Sequence, residues 1–109
     1  LKVLLLLVLA LSSCTSGDKV LIFECEEQRQ GEACNKLGKA REGAEAQQYF
    51  EKGCALENTN SCVNLAPLIE QGNPTEARRV LKLACDRGNT HACAKFAEFT
   101  VRQSAPKEL

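Results

Sequence analysis

Residues 46–66 read AQQYFEKGCALENTNSCVNLA, and residues 77–97 read ARRVLKLACDRGNTHACAKFA. Offset by 31, the two stretches place like against like. A small residue opens each (Ala46, Ala77), followed by a large apolar pair (Tyr49 and Phe50, Val80 and Leu81). Then come a cysteine (Cys54, Cys85), an Asn-Thr turn (Asn58 and Thr59, Asn89 and Thr90) and a second cysteine (Cys62, Cys93). A bulky and a small residue close the unit (Leu65 and Ala66, Phe96 and Ala97). Self-similarity at a fixed period of this size is the mark of a repeat array.

The cysteine spacing sets the shape of the unit. Cys54 and Cys62 are eight positions apart, which on one continuous helix is about 12 Å along the axis. A disulfide bridges at most roughly 7 Å between Cα atoms. If the two are bonded, the chain reverses between them, so each unit is expected to be helix, turn, helix with a staple across the turn. Leu56–Asn60 and Asp86–Thr90 supply Asn, Thr, Asp and Gly, which favour caps and reversals.

Working outward, a degenerate first unit precedes the two regular ones. Val20 and Leu21 stand before Cys25 as Tyr49 and Phe50 stand before Cys54. Leu37 and Gly38 follow Cys34 as Leu65 and Ala66 follow Cys62. The turn between Cys25 and Cys34 is longer by one residue and contains Gly31. Terminal repeats commonly deviate, because one side has no neighbour. The expected fold is all-α: an α/α solenoid of about three helix-turn-helix repeats, each stapled by a disulfide. Apolar spacing places helices at about 18–29, 33–42, 44–57, 60–71, 75–87 and 90–103. Gln71-Gly72-Asn73-Pro74 breaks the second unit from the third. Pro67 conflicts with the fourth helix, since an interior proline costs on the order of 3 kcal/mol; that helix is expected either to bend or to start later. The repeat domain is bounded at 20–103, with a flexible tail at 104–109.

The start of the chain reads differently. One basic residue, Lys2, precedes an unbroken apolar run from Val3 to Leu11, suited to a signal-peptide core and too short to span a bilayer. The run ends Leu11-Ser12-Ser13-Cys14, which resembles the lipobox of bacterial lipoproteins. That resemblance implies a signal peptide over 1–13, a lipidated Cys14 and a linker over 14–19. Thr15, in place of an Asp after the lipidated cysteine, implies the outer membrane of a bacterial cell envelope, facing the periplasm. Several acyl chains make such anchoring stable where one does not.

Lipidation of Cys14 leaves six of the seven cysteines. Six cysteines allow fifteen connectivities. The repeat selects the local pairing Cys25–Cys34, Cys54–Cys62 and Cys85–Cys93, because equivalent positions form equivalent bonds, and export permits disulfides. A chain-entropy treatment gives roughly 2.6 kcal/mol for each loop of about nine residues. The alternative, a zinc site, lacks close cysteine pairs; the one histidine, His91, has no second histidine at ligand spacing. No metal and no cofactor are expected. The 14 basic and 14 acidic residues balance, and no basic patch points to nucleic acid.

The pattern A-x2-YF-x3-C-x7-C-x2-LA resembles the Sel-like repeat, a relative of the tetratricopeptide repeat, and the paired cysteines resemble its disulfide-rich Hcp-type branch. The resemblance covers about Val20 to Thr100. It implies a solenoid whose concave face, lined by the first helix of each unit, binds a protein or peptide of the envelope. Here that face would present Gln47, Gln48, Glu51, Arg78, Arg79 and Lys82. The repeat of 31 is shorter than the family's usual unit, and its glycine-rich loop is reduced to Gln71-Gly72-Asn73. The resemblance also carries a β-lactamase or penicillin-binding label. Ser16-Gly17-Asp18-Lys19 matches S-x-x-K, but the companion S-D-N and K-T-G motifs are absent. The expected function is therefore binding, not catalysis, with the hydrolase as the alternative and a purely structural envelope protein as a third reading.

Overall fold

The structure, a computed structural model, describes residues 17–104, all of whose regular elements are helical. The expected signal peptide, Cys14, Ser16 and residues 105–109 lie outside the described residues. The helices are α1 (described over 17–26), α2 (Gly31–Lys39), α3 (Gly43–Ala55), α4 (Thr59–Ile69), α5 (Pro74–Asp86) and α6 (Thr90–Ser104). Each packs on the next from α2 to α6, and α2, α4 and α6 also contact one another in series. The result is a two-layer stack of three helical hairpins, in which α1, α3 and α5 are first helices and α2, α4 and α6 second helices.

The three predicted disulfides close the hairpins. Cys25–Cys34, Cys54–Cys62 and Cys85–Cys93 have Cα separations of 4.8, 4.7 and 4.5 Å. The turns they span share one backbone design. Glu57 (φ 69) and Gly88 (φ 96), equivalent by the repeat, hold the left-handed conformation. In each, that residue's N–H and the next close the helix end. Glu57 N–H donates to Cys54 and Asn58 N–H to Gly53, at 3.1 and 2.9 Å; Gly88 N–H donates to Cys85 and Asn89 N–H to Ala84, at 2.9 and 3.0 Å. This is the Schellman closure, which satisfies carbonyls at a helix end.

The following asparagine starts the second helix. Asn58 Oδ1 accepts from Ser61 N–H and Asn89 Oδ1 from Ala92 N–H, each at 2.9 Å. The first turn differs because of its extra residue. Arg29 takes the left-handed position (φ 54), Gln30 N–H reaches back to Glu24 at 2.9 Å, and Gln30 gives α2 no side-chain cap. For the same reason α1 closes at 26 rather than at the expected 29.

Pro74 opens α5, where its missing N–H costs nothing, and Asn73 caps it through Glu76 N–H at 3.1 Å. Pro67 lies within α4, which begins at Thr59 and not later. It sits exposed in the last turn, where only the end of the hydrogen-bond ladder is interrupted.

The core has two parts. Cys25, Ala33, Cys34 and Leu37 form the smaller, joined by Leu21, Ile22, Tyr49 and Leu56. The larger runs from Ala46 to Phe99 through units two and three, centred on Leu65, Val80, Leu81 and Phe99. Between α2 and α4 the contact is polar: buried Ser61 donates to Asn35 Oδ1 at 3.2 Å, and Asn64 donates to the same oxygen at 3.0 Å.

Candidate functional site

The first helices of units two and three, α3 and α5, flank a groove of about 510 Å³. Its position follows from the repeat. Every first helix has one set of positions facing the preceding unit and another facing the next. Gln47, Glu51 and Ala55 face forward from α3, and Glu76, Arg79 and Leu83 face back from α5. Leu65 and Ile69 of α4 form the floor beneath them, and Arg87 closes one end.

The groove between α1 and α3 is the same feature one unit earlier, and it is bridged. Lys52 Nζ lies 2.8 Å from Glu26 Oε1 across it. The repeat equivalents of Glu26 and Lys52 in the second groove are Ala55 and Leu83. No ion pair can form between these, so the second groove keeps an open apolar patch.

Polar groups ring the patch. Gln47 Nε2 donates to Glu51 Oε1 at 2.9 Å. Arg79 makes a fork on Glu76, with Nε and Nη2 at 2.8 and 2.7 Å from the two carboxylate oxygens. The hydrogen bond from Arg79, and then its charge, hold the Glu76 carboxyl below the usual carboxylate range; the same pairing raises the Arg79 guanidinium. Arg87 reaches Glu57 at 3.5 Å. The arrangement offers amide and carboxylate acceptors, two guanidinium groups and an apolar floor.

Of the six residues expected on the binding face, the groove brings together Gln47, Glu51 and Arg79. Gln48, Arg78 and Lys82 are exposed but do not line it. The two sets are repeat equivalents: Gln48 is the counterpart of Arg79, and Arg78 and Lys82 are counterparts of Gln47 and Glu51 one unit on. The Arg78 guanidinium lies 5.1 Å from the Phe96 ring centroid, and Lys82 pairs with Asp86 at 2.9 Å. Leu83, Ile69 and Glu76 were missed by the sequence reading. The signal for Leu83 was present in the comparison with Lys52, a charged residue replaced by leucine at an equivalent position.

His91 is exposed at the start of α6. Among the described residues no group of three or more His, Cys, Asp or Glu could hold a metal, and none of the helices is long and apolar enough to cross a membrane. No family model matches the chain, and neither a curated protein nor a solved structure matches it significantly.

Proposed function

We propose that this chain is a lipid-anchored protein of the bacterial cell envelope that binds a segment of another protein or a peptide in the groove between α3 and α5, as a Sel-like repeat protein would. The observation that carries the reading is the contrast between the two grooves. The first is bridged by the Lys52–Glu26 ion pair, whereas the second presents Ala55 and Leu83 with Glu51, Arg79 and Arg87 around them. An apolar floor with a polar rim is the usual anatomy of a recognition surface. Buried anchor side chains give affinity there, and rim groups give register and orientation.

The test is to select peptides against the oxidised protein and then close the groove. Ala55→Glu with Leu83→Lys transplants the bridge of the first groove into the second. Binding is expected to be lost with helicity and thermal stability retained, while Lys82→Ala leaves binding unchanged. Peptides that bind the closed variant as well as the parent would remove the groove from the proposal. β-Lactam hydrolysis abolished by Ser16→Ala or His91→Ala would put the hydrolase reading in its place. For the anchor, the membrane-extracted protein is expected to lack residues 1–13 and to carry acyl chains on Cys14; an unmodified product would overturn that part alone.

A further inference from the structure

Among the described residues no helical unit packs on the outer side of the first unit, and the residues it turns to that side form a self-complementary pattern. Val20 and Phe23 of α1 are 53% and 52% exposed. At the position of Val20, unit three has Val80, 1% exposed, and unit two has Tyr49, packed on the core of the unit before it. At the position of Phe23, unit three has Leu83, which lines the groove against unit two, and unit two has Lys52, which pairs with Glu26 of α1. The apolar pair that packs α5 against the preceding unit is thus present on α1, where it is half exposed.

The charges on α1 divide by side. Asp18 and Glu26, facing unit two, pair with Arg41 and Lys52 at 3.0 and 2.8 Å. Lys19 and Glu27 are exposed and belong to no ion pair among the described residues. Lys19 lies four residues before Phe23 on α1, and Glu27 four after it in the turn that follows α1, where its N–H donates to the Phe23 carbonyl at 2.8 Å and keeps it in line with the helix. When two copies of such a stripe run antiparallel, Phe23 meets Phe23 on the two-fold axis, and each Lys19 stands opposite the other copy's Glu27.

We propose that this face of α1 is a homodimer interface, in which α1 of one copy packs antiparallel on α1 of a second. The proposal is independent of what occupies the α3–α5 groove. Head-to-tail stacking, the obvious alternative for a repeat array, is opposed by the same charges. In the groove between units two and three, Arg79 and Arg87 face Glu51 and Ala55. Their equivalents at a head-to-tail joint would be Lys19 and Glu27 against Lys82 and Asp86, like charge against like. An isologous contact closes at two copies, whereas a head-to-tail contact of this kind propagates.

The test is sedimentation equilibrium of the full chain in mild detergent, with circular dichroism to verify the fold of each variant. A monomer–dimer equilibrium is expected. Phe23→Asp is expected to abolish the dimer. Lys19→Glu and Glu27→Lys are each expected to weaken it about tenfold, because the two-fold axis doubles every reversed contact. The double variant Lys19→Glu/Glu27→Lys is expected to restore it, which only an antiparallel self-pairing does. Three results overturn the proposal: a monomer at every concentration, single reversals without effect, or a Lys19→Glu variant that associates more tightly, as head-to-tail stacking against Lys82 would.

Discussion

Gly38 of α2 lies flat against the ring of Phe50 in α3, so close that a Cβ on Gly38 would stand 2.5 Å from Cε1. The pair explains a variation within the repeat. Where unit two opens with Phe50, unit three has Leu81, and where unit one closes with Gly38, unit two has Ala66. The larger ring meets the residue with no side chain, and the smaller leucine meets alanine. Volume is conserved across the two joints although neither residue is.

Gly38→Ala is therefore expected to destabilise the fold despite alanine's better helix propensity. Overpacking of this kind costs about 1–3 kcal/mol, offset by up to ~1 kcal/mol of propensity. Adding Phe50→Leu recreates the pair found at the next joint and should recover most of the loss. Thermal or denaturant unfolding of both singles and the double measures the coupling. Additive effects would show that the two residues do not share the space.

The left-handed positions of the turns give a second pair of substitutions. Nothing lies within 4 Å of a Cβ built on Gly88, so Gly88→Ala adds only backbone strain, expected to be about 1 kcal/mol. Glu57 holds the same conformation with a side chain, and Glu57→Gly is expected to be neutral or mildly stabilising, since the strain it relieves exceeds the weak, exposed contact to Arg87. Equal destabilisation by the two would contradict the backbone account.

Asn58 and Asn89 each do two jobs. The side-chain oxygen caps a helix, and the amide donates to the preceding unit: Asn58 Nδ2 to Glu32 at 3.1 Å, and Asn89 Nδ2 to Asn60 and Thr59 at 3.0 Å each. Replacement of either by Ala is expected to cost about 0.5–2 kcal/mol. Replacement by Asp separates the roles, because aspartate keeps the cap. Asn58→Asp sets a carboxylate against Glu32 and is expected to be the more destabilising. Raising the salt concentration should narrow the gap between the two Asp variants.

The three staples are expected to break in a set order. Cys25, Cys34, Cys54 and Cys62 are 2, 0, 6 and 0% exposed, while Cys85 and Cys93 are half-buried. Thiol–disulfide exchange requires in-line access to a sulfur, so limiting dithiothreitol should open Cys85–Cys93 first. Alkylation and peptide mapping at early times would show this, and early labelling of Cys34 or Cys62 would refute it.

The repeat, the hairpin shape and the disulfide pairing were all legible in the sequence. They rest on spacing along the chain, and a bond that closes across eight or nine residues is a local event. The groove was half legible. Its helices followed from the resemblance, and three of the six expected residues line it. The other three were placed with them because sequence shows that Gln47 and Arg78 are equivalent, but not that only Gln47 of the two lines the groove.

Tertiary structure alone decided what lies between units. Ser61 beside Asn35, Gly38 beneath Phe50, and Lys52 across from Glu26 all join residues from different hairpins. The periodic pattern fixes which stripe of each helix is apolar. It leaves open the distance and rotation at which neighbouring hairpins settle, because many side-chain combinations satisfy the same pattern. That choice is made by close packing, where the volume of one ring determines whether its neighbour can carry a Cβ.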